Sequence, residues 1–251
     1  MGRRLPREPE SFGALTDPYW LDTGSGVGVD LDLGGLVPVS HERFVERRRD
    51  LLDAFRTLRT TDVVVLTLGQ TESWIYQPRD LHWSGAPAVA SLRTFWPDTR
   101  LVTVDVDDVR QHLVTTVDRL RSINPGVRIL LTVSPVPASR YWTGTPALRA
   151  YWQGKLTLWE AAQRIVSEVG AGVHYFPSFE AVHLAPDAWS EDRLHVTDAA
   201  VRNVVEGLLR ANSDTELTVP REGEAGYVST LATRPDSLRH RLAAKARGLV
   251  T

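Results

Sequence analysis

The sequence contains no cysteine, and this absence excludes cysteine nucleophiles, disulfide frameworks and cysteine-ligated zinc sites together. Long apolar runs are also missing, since no stretch approaches the roughly 18 residues that a membrane span requires. The arginines and prolines of residues 3–9 stand where an export signal would need an apolar stretch. We therefore predict a cytoplasmic protein with no membrane partner.

An excess of charge of either sign is lacking as well. The 29 basic residues nearly balance the 31 acidic ones, so the net charge is -2 and no overall field favours nucleic acid. We expect no nucleic-acid partner, and we interpret a short basic helix near residues 236–247 as a solvated surface. What the chain does have is 251 residues, 42% of them hydrophobic, which is enough to bury one sizeable core.

The hydrophobic pattern alternates between strands and helices along most of the chain. Residues 63–68 form a continuous, largely β-branched apolar run, which is typical of a parallel strand covered on both faces. Apolar residues at helical spacing predict a helix over 41–59, with Ser40 as its N-cap. The alternation indicates an α/β domain with a mainly parallel sheet. The other predicted elements are an alternating strand at 27–33, helices at 106–123, 146–168 and 197–211, and strands at 128–133 and 173–176.

We divide the sequence into three parts. Residues 1–39 are interpreted as an extended arm with a possible edge strand, residues 40–212 as the α/β domain, and residues 213–251 as a C-terminal extension. Ligands of open parallel sheets bind at the carboxyl ends of the strands. The loops that follow the predicted parallel strands are therefore where we expect the chemistry.

The loop after the first buried strand begins with Gly69-Gln70-Thr71-Glu72 and continues to Trp74. A glycine turn followed by compact polar groups allows backbone N–H groups and short side chains to face a substrate oxygen, as an oxyanion site requires. The same pattern also fits an ordinary loop with a capping threonine. Both interpretations remain open from the sequence.

Two further loops carry polar side chains. Ser134 follows the second strand and is either a nucleophile or, more simply, a turn residue bonded to its own backbone. Asp192 and His195 follow the last strand, and three residues of separation allow the carboxylate to orient the imidazole for general-base chemistry. We interpret the other histidines as surface or packing residues and predict neither a metal site nor a cofactor. These histidines are His41, His82, His112, His174, His183 and His240.

Three segments in this order resemble the GSCFA domain family, which is placed with the SGNH/GDSL hydrolase-like enzymes. They are residues 67–74, 124–137 and 175–180, with Asp192 and His195 downstream. The resemblance implies a three-layer α/β/α fold of flavodoxin-like type. It also implies that His195 is the base and Asp192 its orienting partner, as in the Asp-x-x-His arrangement of that superfamily. Thr71 falls near the position usually held by an oxyanion-supporting asparagine.

The sequence departs from this family at its amino-terminal end. The Gly-Ser-Cys-Phe-Ala motif, a strand followed by the presumed nucleophilic serine, has no counterpart, and Ser25 precedes the alternating strand instead of following it. Ser25 is therefore only a weak candidate nucleophile. The missing strand would be central in a flavodoxin-like sheet and would leave residues 63–68 as an exposed apolar edge. Residues 27–33 could fill that edge, a second chain could supply strand and serine, or the amino terminus could be shortened.

Our first hypothesis is an acyl hydrolase or O-acyltransferase that acts on a small-molecule ester or saccharide. In it His195 activates a hydroxyl, Gly69, Thr71 and Ser134 stabilise the oxyanion, and the indoles of Trp74 and Trp142 form apolar walls. If the chain has no nucleophilic serine, the hydroxyl belongs to the acceptor or to water. The alternative is a non-catalytic relative that binds a ligand or pairs, as a homo- or hetero-oligomer, with a chain that completes the sheet.

Overall fold

The computed structural model describes residues 17–24, 26–33, 38–83, 95–138 and 140–212. These residues belong to two units, each with its own internal contacts. We call residues 1–60, 71–105 and 142–144 the antiparallel unit, and residues 61–70, 106–141 and 145–251 the parallel unit. In chain order the elements are β1 Trp20–Asp22, β2 Val27–Asp30, β3 Val39–Ser40, α1 His41–Arg56, β4 Val63–Leu68, β5 Glu72–Tyr76, β6 Leu81–Trp83, β7 Thr99–Thr103, α2 Val106–Ile123, β8 Arg128–Val133, α3 Ala147–Val169, β9 Val173–Tyr175, α4 Ser178–Leu184 and α5 Asp198–Asn212.

The parallel unit contains the three predicted strands at 63–68, 128–133 and 173–176 and most of the predicted helices. Its sheet has the order β4-β8-β9, all parallel, and β4 and β8 pair in register from Val63 opposite Arg128 to Leu68 opposite Val133. The carboxyl ends of β4 and β8 therefore lie side by side, which places the loops that follow them at one edge of the sheet. The bounds of α2, α3, α5, β8 and β9 agree with the predicted segments to within a residue or so.

β4 is less covered than its sequence suggests. The apolar run predicted a strand buried on both faces, but Val65 is 47% exposed, whereas Ile129 to Val133 of β8 are all buried. Within the described residues β4 pairs with β8 alone, so its other edge has no strand partner. The predicted edge strand does not fill this position, because β2 pairs antiparallel with β1 and β3 in a separate sheet.

The antiparallel unit corrects the expectation of a mainly parallel fold. It contains two antiparallel sheets, β1-β2-β3 and β6-β5-β7, and the second is built from a connection for which we predicted no strands. Trp74 and Tyr76 of β5 point into the core, and Ile75 between them lies on the opposite face. Because Ile75 is apolar as well, the sequence does not show the alternation of apolar and polar residues that would have predicted this strand. The described part of the chain is thus a mixed α/β structure.

A buried ion pair joins the first antiparallel sheet to α1. Ser40 caps α1 by accepting a hydrogen bond from the Arg43 N–H, as predicted. Two turns after Ser40, the Arg48 guanidinium contacts both carboxylate oxygens of Asp30, and it also donates to Asp32 at 3.0 Å. The Asp30 side chain is only 2% exposed, so Arg48 neutralises an otherwise isolated buried charge.

None of the helices in the described residues is long and apolar enough to cross a membrane.

Candidate functional site

Asp192 and His195 lie in a short loop that its own hydrogen bonds close. An isolated antiparallel bridge pairs Trp189 with Val196, and the Ser190 N–H donates to the His195 carbonyl at 2.9 Å. Arg193, between the two candidate residues, has a left-handed backbone with φ of 54°, a conformation that non-glycine residues adopt only when their surroundings require it. The loop therefore imposes its geometry on Asp192 and His195.

The Asp192 carboxylate performs two tasks at once. Its Oδ1 accepts the backbone N–H groups of Leu194 at 2.9 Å and of His195 at 3.0 Å, which fixes the turn. Its Oδ2 lies 2.5 Å from Nδ1 of the His195 ring. These three hydrogen bonds lower the pKa of Asp192 to about 2, and the hydrogen bond from the His195 imidazole has the largest effect. The carboxylate is ionised throughout the neutral range.

The ionised carboxylate selects the histidine tautomer. A carboxylate only accepts hydrogen bonds, so Nδ1 must carry the proton that it donates to Asp192. In the neutral ring Nε2 then keeps its lone pair. The His195 side chain is 75% exposed, so this lone pair is accessible to a hydroxyl group. The predicted pair is thus formed within one loop and is oriented for general-base chemistry.

At the end of β4, Gly69 and Gln70 are both exposed, and their N–H groups have no hydrogen-bond partner among the described residues. On the other side of this turn, the Lys155 ammonium of α3 donates to the Gly69 carbonyl oxygen at 2.7 Å. Lys155 is 3% exposed, and this burial lowers its pKa to about 8. The predicted oxyanion turn is therefore held by a cation that the sequence analysis did not select.

The loop after β8 is fixed in a similar way. The Ser134 N–H donates to the Leu68 carbonyl at 2.9 Å, and Ser134 Oγ accepts the Val136 N–H at 3.3 Å, so the hydroxyl serves the turn. The Tyr151 hydroxyl of α3 donates to the Pro135 carbonyl at 2.7 Å. Burial raises the pKa of Tyr151, so the phenol stays protonated and remains a donor.

His183, which we interpreted as a surface or packing residue, is a hydrogen-bond partner of Tyr151. Its Nε2 lies 2.8 Å from the Tyr151 oxygen, and its Nδ1 lies 2.8 Å from the Phe179 carbonyl oxygen. The ring of Trp152 lies 5.2 Å from the His183 ring, centroid to centroid. Both ring nitrogens of His183 are engaged, so this histidine is less suited than His195 to act as a free base.

The remaining predicted site residues belong to the antiparallel unit. Thr71 is buried and its carbonyl accepts the Val104 N–H. The Glu72 carboxylate accepts the Trp142 N–H at 2.9 Å and the Thr143 hydroxyl at 3.0 Å. Trp74 is only 8% exposed, and its ring centroid lies 5.7 Å from that of Trp142. Glu72 thus fixes the loop that carries Trp142, and Trp74 packs as a core residue with little surface for a ligand.

The candidate nucleophile Ser25 and the basic segment after residue 212 lie outside the described residues. Lys155 and Tyr151 are the residues of the parallel unit that we missed. A signal for Lys155 was present, since it occupies one position of a helical stripe whose other buried members are apolar or aromatic. A charged residue in such a stripe requires a polar partner, and the sequence does not show which one.

Comparison with known proteins identifies one family. The sequence profile of the GSCFA family matches residues 24–207, which include all three segments of the resemblance together with Asp192 and His195. No curated protein and no solved structure matches the chain.

Proposed function

This chain belongs to the GSCFA family, and from that premise we propose that it is an acyl hydrolase or O-acyltransferase of the SGNH/GDSL type. The observation that carries the proposal is the pair formed by Asp192 and His195. The carboxylate binds Nδ1 at 2.5 Å and leaves Nε2 on an exposed ring. The substrate class that we propose is an ester of a small molecule or saccharide.

The reaction begins when Nε2 of His195 takes the proton of a hydroxyl group. The oxygen of that group forms a bond to the acyl carbonyl carbon, and the carbonyl electron pair moves onto its oxygen. Collapse of this oxyanion breaks the bond to the leaving alkoxide, which recovers the proton from His195. When the hydroxyl belongs to water the reaction is hydrolysis, and when it belongs to an acceptor the acyl group is transferred directly.

The developing oxyanion requires hydrogen-bond donors that are in place before the reaction. The free N–H groups of Gly69 and Gln70 support this role, because the turn that carries them is fixed by Lys155. The Ser134 hydroxyl is a further donor in this proposal, because its oxygen accepts the Val136 N–H and this hydrogen bond does not use its own proton. The parallel order β4-β8-β9 further supports a three-layer, flavodoxin-like arrangement as part of the same proposal.

The experiment combines turnover with active-site labelling. We would measure hydrolysis of a series of p-nitrophenyl esters by the wild type and by His195→Ala. In parallel, treatment with a fluorophosphonate and intact mass measurement would detect an activated serine, Ser25 among them. His112→Ala is the matched control, since it removes an exposed histidine of α2 that belongs to no candidate site.

We expect His195→Ala to lose turnover while its melting temperature stays near that of the wild type, and we expect His112→Ala to retain full activity. An adduct at one serine that disappears in His195→Ala would add a covalent intermediate to the mechanism. Turnover without an adduct would indicate direct transfer. Undiminished turnover by folded His195→Ala would refute the assignment.

A second candidate function is a non-catalytic subunit that completes its sheet with a strand from another chain. The observation that favours it is β4, whose outer edge has no strand partner among the described residues and whose Val65 is 47% exposed. Edges of this kind are usually covered or charged, because they pair readily with other strands.

Oligomeric mass and amide exchange distinguish the two candidates. If a strand of another chain pairs with β4, light scattering gives a multiple of the chain mass or the mass of a complex with a second protein. The amides on the outer edge of β4 then exchange slowly with water, because they are hydrogen-bonded to the added strand. A fully active monomer with rapidly exchanging β4 amides would rule out the second candidate.

A further inference from the structure

Lys155 is a buried charge that takes no part in the proton transfers of the proposed mechanism. Its side chain reaches from α3 to the turn after β4, and only 3% of the residue is exposed. Within the described residues it forms no ion pair with a carboxylate. Its ammonium contacts the Gly69 carbonyl at 2.7 Å and lies 5.8 Å from the centroid of the Tyr151 ring. A buried ammonium with so few partners is costly, so packing alone does not explain it.

The contact with Gly69 acts on a complete peptide group. The carbonyl of Gly69 and the N–H of Gln70 belong to the same trans peptide, and in a trans peptide these two groups point in opposite directions. Because Lys155 binds the carbonyl from the α3 side, the Gln70 N–H points away from α3. That N–H lies on an exposed residue and has no partner among the described residues.

A cation on a carbonyl oxygen also strengthens the donor at the other end of the peptide. Hydrogen bonds in series polarise one another, and the effect is larger where the surroundings are poorly solvated. An ammonium on the Gly69 oxygen therefore withdraws electron density from the peptide and makes the Gln70 N–H more acidic. Charge-assisted hydrogen bonds of this kind are stronger than neutral ones.

We propose that Lys155 is a positioning residue that orients and polarises the Gly69–Gln70 peptide, so that the Gln70 N–H binds the substrate oxyanion. This inference rests on the proposed function and adds to it a polarising role for Lys155 and the choice of the Gln70 N–H as the donor that Lys155 strengthens. Lys155 does not contact the substrate itself. It acts through one peptide group: its ammonium binds the Gly69 carbonyl oxygen and thereby makes the Gln70 N–H of the same peptide a stronger donor.

The same helix fixes the neighbouring loop, which supports a common purpose. Tyr151 precedes Lys155 by one helical turn, so both side chains leave the same face of α3. One donates to the Pro135 carbonyl after β8 and the other to the Gly69 carbonyl after β4. The neutral phenol supplies a matched comparison, because it fixes a loop without adding charge to it.

The test reads the Gln70 amide directly by nuclear magnetic resonance on the full chain. Lys155→Met removes the ammonium and retains an unbranched apolar side chain. We expect the Gln70 amide proton to shift upfield and to exchange with water severalfold more slowly, because the N–H becomes less acidic. Tyr151→Phe is the control, and it should leave the Gln70 amide unchanged. An unchanged Gln70 amide in folded Lys155→Met would overturn the proposal.

A measurement on the wild type covers the case in which Lys155→Met does not fold. The chain has two lysines, so selective labelling gives two side-chain signals, which the Lys245→Arg variant assigns. The Gln70 amide shift should follow the titration of the Lys155 signal. Titration of Lys155 without any movement of the Gln70 amide contradicts polarisation of the peptide.

The kinetic measurement separates this inference from the proposed function. Loss of a complete oxyanion donor costs roughly 10²–10³ in kcat, so a weakened donor should cost about tenfold in kcat with KM unchanged. An unaltered kcat in Lys155→Met would refute the oxyanion role even if the amide shifts. If the wild type hydrolyses no ester, the proposed function fails, whereas the amide shift still decides whether Lys155 polarises the peptide.

Discussion

Replacing Lys155 by methionine should change how the stability of the protein depends on pH. Burial lowers the pKa of Lys155 from 10.5 to about 8. Each pKa unit corresponds to about 1.4 kcal/mol, so burying the charged ammonium reduces the free energy of unfolding by about 3 kcal/mol. This full penalty applies at a pH where Lys155 is protonated in the folded and in the unfolded chain. Because Lys155 is 3% exposed, solvent screens little of this penalty. Lys155→Met removes the penalty together with the hydrogen bond to Gly69, whose loss costs about 1–3 kcal/mol.

The sign follows from proton binding. Below pH 8 the lysine is charged in the folded and the unfolded chain, and the full penalty applies. Between about pH 8 and 10.5 the unfolded chain binds more protons than the folded one, so wild-type stability rises with pH. Near pH 7 the two effects of Lys155→Met oppose each other and leave the variant more stable than the wild type by about 0–2 kcal/mol. Between pH 7 and pH 10 the stability of the variant relative to the wild type should fall by about 2–3 kcal/mol, because most of the wild-type penalty is lost over this range.

Urea denaturation at several values between pH 7 and 10 measures this difference. Tyrosines and other groups titrate in both proteins, so their contributions cancel in the comparison. Leu158→Met is the control on the same face of α3 and should differ from the wild type by a constant amount. If the stability difference between wild type and Lys155→Met is independent of pH, Lys155 does not have a depressed pKa and the reasoning is wrong.

Three other predictions concern single side chains. Asp192→Asn retains an oxygen for the turn but presents an amide N–H to Nδ1 of the imidazole, so turnover should fall strongly with KM little changed. Since the pKa of Asp192 is lowered to about 2, its stabilising effect is complete above about pH 4 and is lost as the pH falls through 2, which acid titration of stability in wild type and Asp192→Asn should reveal. Arg48→Met leaves Asp30 as an unpaired buried charge and should cost roughly 3–5 kcal/mol in urea denaturation, with partial recovery when Asp30→Asn is added. Ser178→Ala removes the hydroxyl that donates to the Val133 carbonyl at 2.9 Å and should cost about 1–3 kcal/mol by the same assay.

The strands of the parallel unit were predictable because burial on both faces selects continuous apolar runs. β8 satisfies that rule along Ile129 to Val133, and its bounds were correct. β4 is a similarly apolar run, but among the described residues it lies at the edge of its sheet. The sequence could not show this, because an apolar run indicates that the faces of a strand are covered and not that both of its edges are paired. The strands of the connection after β4 escaped prediction because they are short and combine large aromatic residues with polar ones.

The candidate site was predictable to the extent that it is local in sequence. The contact of Asp192 with His195 spans three residues, so spacing alone makes it possible. The contact of Lys155 with Gly69 spans 86 residues and depends on the rotation of α3 about its own axis and on its register against the sheet. Neither quantity follows from periodicity, which fixes the buried stripe of a helix but not the atoms that the stripe meets.

The exposure of His195 determines which reaction should be looked for first. The His195 side chain is 75% exposed, so in its proposed role as general base it does not by itself exclude water, and water competes with every other hydroxyl for activation by Nε2. A transferase with such a base must rely on its acceptor or on a partner chain to displace water when the acyl donor is bound. In the absence of that acceptor or partner, the same base should direct water to the acyl group. Hydrolysis of an activated ester is therefore the expected minimal activity even if transfer to a saccharide or another hydroxyl is the physiological reaction.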